Sequence, residues 1–168
     1  METRKLIRAI GIVIILASNI GCDQVSKSLV RERLDKHERV KLAGDYFIMT
    51  RVENTGAFLS MGNSLPASLR ILLLSVLPAL IMAYGLYFLF TQRSLSWIMI
   101  LGICFVIGGG IGNLYDRVVY GSVTDFLHMD FVIFRTGIFN MADVSIMIGT
   151  FLILIYSLMK QRFAAVRW

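Results

Sequence analysis

Residues 95–117 read LSWIMILGICFVIGGGIGNLYDR. From Leu95 to Leu114 the segment carries no charge, and only then come the charged residues Asp116 and Arg117. Crossing about 30 Å of hydrocarbon takes about 20 mostly apolar residues in a helix. Because open strand edges leave backbone groups unpaired in lipid, this segment predicts a transmembrane helix.

Three further segments have the length and apolar character of a membrane span. With the first they give four predicted spans, at about residues 9–29, 71–90, 95–114 and 139–159. Pro78 lies inside the second span and is expected to kink it. The fourth span contains one acid, Asp143. The predicted fold class is an all-α membrane protein with four transmembrane helices, forming one domain over residues 1–168.

The overall composition fits a membrane protein better than a soluble one. The 168 residues are 57% hydrophobic and 17% charged, whereas soluble domains are about 45–50% apolar and about 25% charged. Cys22 and Cys104 both lie in apolar segments. This excludes a disulfide-dense scaffold and gives no four-ligand zinc site.

The positive charge is concentrated at one end of the predicted bundle. The N-terminus, the turn after Phe90 and the C-terminus together hold seven Lys or Arg and one acid, Glu2. Elsewhere ten bases balance ten acids. Segments near membrane ends carry their excess of Lys and Arg on the cytoplasmic side, so both termini are predicted inside. This placement favours a membrane protein over a nucleic-acid-binding one, and no nucleic-acid partner is expected.

The first span also has features of a cleaved signal peptide, with a basic start and an apolar centre. It ends in Ile20-Gly21-Cys22, similar to a lipoprotein processing signal. However, Asn19 occupies a position where such signals favour Leu, and three more spans follow. We therefore interpret the segment as an anchored first helix.

The connection after the first span has β-strand character over about residues 36–60. Residues 40–52 contain an alternating pattern interrupted by the turn pair Gly44-Asp45, which predicts a β-hairpin. A second β-prone run, Phe131 to Phe134, is expected to complete a small antiparallel sheet at the outer membrane surface.

Polar residues at membrane depth are costly and usually paired or functional. Asp23 and Lys27 lie four residues apart on one helix face, so they predict a buried structural pair. Gly108 and Gly112 form a small-xxx-small pair that favours close helix packing.

Two acids are expected to meet at the outer membrane face. Asp116 ends the third span and Asp143 begins the fourth, and antiparallel helices bring these ends together. Each could be an independent helix-terminal acid, but a negative charge at a helix C-terminus is unfavourable. Two close carboxylates have divergent pKa values, so one could activate a water while the other protonates a carbonyl. His37 and His128 have no acid at the spacing of a catalytic triad.

Four blocks of sequence resemble bacterial lipoprotein signal peptidase (signal peptidase II), an integral membrane aspartyl protease family. The blocks are Asp23 to Lys27, Asn54 to Phe58, Gly109 to Phe126, and Phe139 to Asp143. One departure is visible, because many relatives have two alanines between the glycine and the phenylalanine of the second block. This chain has only Ala57 there.

The resemblance implies cleavage of prolipoproteins immediately before a cysteine that carries a diacylglyceryl group. It implies Asp116 and Asp143 as the catalytic pair, a structural role for Asp23 and Lys27, and a β-cradle over the site. The substrate-binding residues that it implies are Asn54, Gly56, Asn113, Arg117, Asp125 and Asn140. It further implies the bacterial inner membrane, lipid contacts, inhibition by the cyclic peptide globomycin, and no metal or other cofactor. We expect a monomer.

Two other classes of protein use part of the same pattern. A proton-coupled carrier also has intramembrane acids, but it should place them near the bilayer midplane. A non-catalytic assembly factor would use the glycine face and would not need both acids.

Overall fold

The computed structural model describes residues 2–36, 38–44, 46–57, 61–62, 64–131 and 133–165. It contains four long helices, α1 (Glu2–Arg33), α2 (Ala67–Thr91), α3 (Trp97–Tyr120) and α4 (Met141–Ala165). The strands are β1 (Arg39–Ala43), β2 (Phe47–Asn54), β3 (Val123–Phe131) and β4 (Phe134–Arg135). Of the residues discussed above, four lie outside the described ones: His37, Asp45, Phe58 and Val132.

All four helices are long and apolar enough to cross a membrane, which confirms the predicted fold class. Helix α3 continues beyond the predicted boundary at Leu114 to Tyr120. The polar side chains of its last turns bond to other groups of the protein. Their cost at membrane depth is therefore reduced. Gly121 ends the helix in the left-handed conformation, with φ of +75°.

Pro78 changes the geometry of α2 as its chemistry requires. Its ring lacks an N–H and clashes with the preceding turn of a regular helix. The residues just before it, Leu72–Val76, form a π-helical stretch in which each turn holds more residues. This wider turn accommodates the proline while the helix continues to Thr91.

Helix α3 is the centre of the bundle and packs against the other three helices. Its glycines face different neighbours. A Cβ on Gly109 would lie 2.4 Å from the Ala142 carbonyl oxygen in α4, and one on Gly112 would lie 2.4 Å from Asp23 Oδ2 in α1. Gly108 also faces α1, where its Cβ would meet Asn19. The small-xxx-small pair therefore packs on α1, as predicted.

The four strands form one antiparallel sheet in the order β1-β2-β3-β4. The predicted hairpin is confirmed, with Gly44 at φ of +56° in its turn. The second β-prone run is confirmed at both ends, since Phe131 ends β3 and Phe134 begins β4. However, β3 begins earlier than predicted, at Val123, and its Asp125 pairs with Val52 of β2.

Two apolar cores hold these elements together. The larger lies between α1, α2 and α3 and consists of Ile12, Leu16, Leu89, Ile100, Cys104 and Ile107. The smaller consists of Val30, Leu34 and Phe126, and it attaches the sheet to the end of α1. The sheet is thus fixed over the ends of α1 and α3 and the beginning of α4.

Candidate active site

A buried ion cluster links α1 to α3 beneath the sheet. We use this name for Asp23, Lys27, Arg31 and Asp116, two acids and two bases. Lys27 Nζ lies 2.8 Å from Asp23 Oδ2 and 3.0 Å from Asp116 Oδ2. The predicted pairing of Asp23 with Lys27 is therefore confirmed, and both side chains are almost wholly buried.

Asp116 belongs to this cluster with both carboxylate oxygens. Arg31 Nη2 lies 3.0 Å from Oδ1, and Gln24 Nε2 donates to the same atom at 3.1 Å. The Thr124 backbone N–H donates to Oδ2 at 3.3 Å. Lys27 and Arg31 thereby compensate an acid that a helix C-terminus would otherwise disfavour.

This placement corrects the expectation that Asp116 and Asp143 share a water. Asp116 is 0% exposed, and it does not line the cavity that Asp143 lines. Its carboxylate points from α3 toward α1, where two cations hold it.

Asp125 occupies the place beside Asp143 that the sequence assigned to Asp116. It is 4% exposed and lies on β3, next to the last residues of β2. Asn54 Nδ2 donates to its Oδ2 at 2.9 Å, and Asn140 Nδ2 donates to its Oδ1 at 2.7 Å. Two amide groups therefore fix the orientation of this carboxylate.

Asp143 is held at the beginning of α4 by a reciprocal capping arrangement. The Asp143 backbone N–H donates to Asn140 Oδ1 at 3.0 Å, and the Asn140 N–H donates to Asp143 Oδ2 at 3.1 Å. Such a pair satisfies two backbone donors of the first helical turn. The remaining carboxylate oxygen, Oδ1, accepts from Asn113 Nδ2 at 2.9 Å.

Asn140 contacts both acids because β3 brings it beside Asp125. The Phe126 and Leu127 N–H groups donate to the Phe139 carbonyl at 3.0 and 2.8 Å. This backbone pairing ties the start of α4 to the strand. Asn140 is therefore the common support of the two carboxylates.

Asn113 connects the ion cluster to the two acids. Its Oδ1 accepts from Lys27 Nζ at 2.9 Å and from Asn140 Nδ2 at 3.1 Å. With its oxygen occupied in this way, its amide nitrogen is directed to Asp143 Oδ1. The cluster thus determines which end of the Asn113 amide faces the acid.

Arg117 lies on the other side of the site and holds the chain that follows β2. Its Nη2 donates to the Gly56 carbonyl at 2.9 Å, and its Nη1 donates to the Asn113 carbonyl at 3.3 Å. Both bonds go to backbone carbonyls. Asn54 Oδ1 accepts from the Gly56 N–H at 2.9 Å, which closes the same turn.

These side chains surround a small cavity. The residues that line it are Asn54, Ala57, Asn113, Arg117, Val123, Asp125, Ile138 and Asp143. Its volume of about 20 Å³ is room for about one water molecule with several polar partners. The carboxylates of Asp125 and Asp143 therefore both line a cavity that has room for one small polar molecule.

Burial favours the protonated form of the Asp125 carboxyl group. Desolvation is the main cause that raises the pKa of Asp125 to about 6, and the nearby charge of Asp143 acts in the same direction. The Asn54 and Asn140 amides act in the opposite direction because they donate to the ionised form. A carboxyl group with this pKa can donate a proton near neutral pH.

Sequence reasoning named Asp125 only as a lining residue, by resemblance. No alternation marks the beginning of β3, since Val123, Thr124, Asp125 and Phe126 are all buried. The signal that was available is an acid inside a β-prone run, between Val123 and Phe126. Across the described part of the chain, no three His, Cys, Asp or Glu side chains are grouped as a metal site would require.

Comparisons with known proteins agree with this architecture. A family model described as signal peptidase (SPase) II matches residues 12–159. A lipoprotein signal peptidase of Borrelia hermsii is 35% identical over 160 residues, covering 92% of this chain and 93% of that one. One from Clostridioides difficile is 36% identical over 146 residues, covering 87% and 93%.

A solved structure has the same fold. It is described as a bacterial membrane enzyme determined by the in meso method at 2.3 Å resolution. It superposes with a TM-score of 0.80, at 24% identity, over 90% of this chain and 89% of that one.

Proposed function

This chain belongs to the signal peptidase II family, and on that premise we propose that Asp125 and Asp143 form its catalytic pair. Family membership makes it a multi-pass bacterial membrane protease that removes signal peptides from lipoproteins. The aspartyl mechanism rests on one observation. Asp125 and Asp143 line the same water-sized cavity, and Asn140 holds both.

The two acids have different environments, which suggests their roles. Asp143 is half-buried at a helix N-terminus, where a negative charge is favoured, so we assign it as the ionised base. Asp125 is buried and has a pKa raised to about 6, so we assign it as the proton donor. Divergent environments of this kind separate acid from base in two-carboxylate enzymes.

The reaction then proceeds in two balanced steps. Asp143 removes a proton from the water as the water oxygen bonds to the scissile carbonyl carbon. At the same time Asp125 transfers its proton to the carbonyl oxygen, giving a neutral tetrahedral diol. Asp143 next gives its proton to the leaving amine as the C–N bond breaks, and Asp125 recovers a proton from the hydroxyl that becomes the new carboxyl oxygen.

The other side chains around the cavity position these groups. Asn54 and Asn140 orient Asp125, and Asn113 orients Asp143. Arg117 and Gly56 hold the chain after β2 beside the cavity, where a substrate backbone would enter. Asp23 and Lys27 act as structural support through Asn113.

We propose that the substrate is a prolipoprotein cut before a diacylglyceryl-modified cysteine. Exposed apolar side chains follow two residues of the site on their helices, since Val118 comes after Arg117 and Met147 lies one turn beyond Asp143, and they are 72% and 69% exposed. They let the acyl chains of a substrate remain in lipid while its scissile bond reaches the cavity. The sheet end would face outward and both termini inward across the cytoplasmic membrane, as the charge asymmetry indicates.

The lipid requirement is tested with two forms of one precursor. We expect the diacylglyceryl-modified form to be cleaved about 100-fold more efficiently (kcat/KM) than the unmodified form, since chains anchored in lipid hold the scissile bond at the cavity and misplacement of a reacting bond costs about 100-fold. Purified enzyme in detergent micelles and a gel-shift assay measure both rates. Globomycin, expected to compete for the cavity, serves as the inhibitor control. Equal cleavage of the two forms would refute the lipid-facing site.

The assignment of Asp125 as the acid predicts a pH dependence. As pH rises through about 6, Asp125 loses its proton in the free enzyme, so kcat/KM should fall. In Asn54→Ala the lost amide no longer favours the ionised form, so the descending limb should move to higher pH. A pH series of initial rates on both proteins measures this. A limb that stays in place in Asn54→Ala would contradict the assignment.

A further inference from the structure

A second cavity lies at the opposite end of the bundle, between the start of α1 and the end of α2. Its volume is about 420 Å³, and it is lined by Arg4, Lys5, Arg8, Ala9, Ile12, Leu89, Phe90 and Arg93. Residues 8 and 27 of α1 are separated by about 28 Å at about 1.5 Å per residue. The cavity is therefore distant from the two aspartates and plays no part in the chemistry described above.

Four cations converge on this cavity, and none of its lining residues is acidic. Three come from α1, and Arg93 follows α2. Arg8 Nη2 donates to the carbonyls of Leu89 and Gln92, which ties the two helix ends together. Arg8 Nε is buried and has no hydrogen-bond partner in the described part of the chain. An anion in the cavity would be surrounded by uncompensated positive charge.

The opposite wall of the cavity is apolar. Ile12 and Leu89 are almost fully buried at its base, while Phe90 is 49% exposed at its rim. Outside it, the surface of α1 continues with Leu6 and Ile10, which are 61% and 49% exposed. A ligand matching both walls has an anionic head and apolar chains.

We propose that this cavity binds the headgroup of an anionic phospholipid, with its acyl chains along the apolar outer surface of α1 and α2. The phosphate contacts Arg4, Lys5 and Arg93 at the level where headgroups lie, next to the ends of the spans. The cytoplasmic excess of Lys and Arg that sets membrane orientation requires only that these cations lie near the helix ends. It does not require cations from two helices to converge on a cavity with an apolar base.

Native mass spectrometry of the purified, delipidated full chain tests the proposal by titration with phosphatidylglycerol and phosphatidylcholine. Each Lys or Arg near an anionic surface contributes about 1 kcal/mol, so Arg93→Gln should weaken phosphatidylglycerol binding about 5-fold and Arg4→Gln/Arg93→Gln about 30-fold. Lys160→Gln is the matched control, because Lys160 is an exposed cation of α4 outside the cavity. It should leave the affinity unchanged.

Three outcomes would overturn the proposal. The first is equal loss of affinity in Arg93→Gln and Lys160→Gln, which would mean a diffuse charge effect. The second is equal binding of phosphatidylcholine and phosphatidylglycerol. The third is displacement of the lipid by glycerol phosphate at equal concentration, which would identify a soluble phosphate as the ligand. If the double variant does not fold, the comparison of Arg93→Gln with Lys160→Gln still tests whether the cavity binds the lipid.

Discussion

Asp125→Asn is expected to lower the rate of prolipoprotein cleavage by about 10³-fold or more, because a positioned general acid contributes about 10²–10⁴-fold and the substituted amide cannot supply the proton. Asn has nearly the same shape as Asp, so the fold should persist. The measurement is a gel-shift assay of a lipidated prolipoprotein, with thermal unfolding of each protein in detergent recorded in parallel.

Further variants test whether the loss of activity is specific to the two acids of the cavity. Asp143→Asn should be as inactive as Asp125→Asn, and the double variant should be no worse than either, since residues that act as one unit are not additive. Asp130→Asn is the matched control on the same strand. Asp130 pairs with the exposed Arg135 away from the cavity, so its loss should leave cleavage near the wild-type rate. Wild-type turnover by Asp125→Asn would refute the proposed pair.

The sequence was a good guide to the helices because a membrane span has a simple physical signature. An uncharged run of about 20 residues has few alternatives in lipid. The same reasoning misplaced the ends of the helices, as α3 shows, since it ends at Tyr120 rather than at Leu114. Three polar side chains of its last turns, Asn113, Asp116 and Arg117, find partners in α1 and in the chain after β2. Composition alone does not reveal these partners.

The sequence placed Asp116 beside Asp143 because it did not show in which direction the Asp116 side chain points from the axis of α3. The sequence correctly brought the ends of α3 and α4 together, but proximity of helix ends does not say which way a side chain points. Residues of a helix are offset by about 100° each. Asn113 and Arg117 therefore share the face that reaches the cavity, while Asp116 is turned toward α1.

The acid that lines the cavity with Asp143 lies at the beginning of β3, where the sequence has no periodic signal. Asp125 lies among the first four residues of its strand, which are all buried, so this part of the strand shows no alternation of polar and apolar residues. Long-range pairing between β3 and Phe139 then places Asn140 against it. Such tertiary contacts are set by the whole fold, which is why the local pattern did not predict them.

Asp116→Asn should destabilise the protein by about 3–5 kcal/mol, because removing one partner leaves buried charge uncompensated. Lys27 would then retain only its pair with Asp23, and Arg31 would lose the ion pair that it has in the described network. Thermal unfolding in detergent measures the effect. Asp130→Asn again serves as a control, since the exposed pair with Arg135 is worth about 0–1 kcal/mol.

A double variant separates support from catalysis. Asp116→Asn/Arg31→Gln retains the neutral Asp23–Lys27 pair, so its loss of stability should be smaller than the sum of the two single losses. Below its unfolding temperature Asp116→Asn should also cleave substrate far faster than Asp125→Asn, because it retains both acids of the cavity. If Asp116→Asn instead melted like the wild type and did not cleave, Asp116 would be acting on the substrate. The pairing of Asp116 with Asp143 that the helix ends predicted would then be correct, since the negative charge of Asp116 would not be required for the stability of the ion cluster.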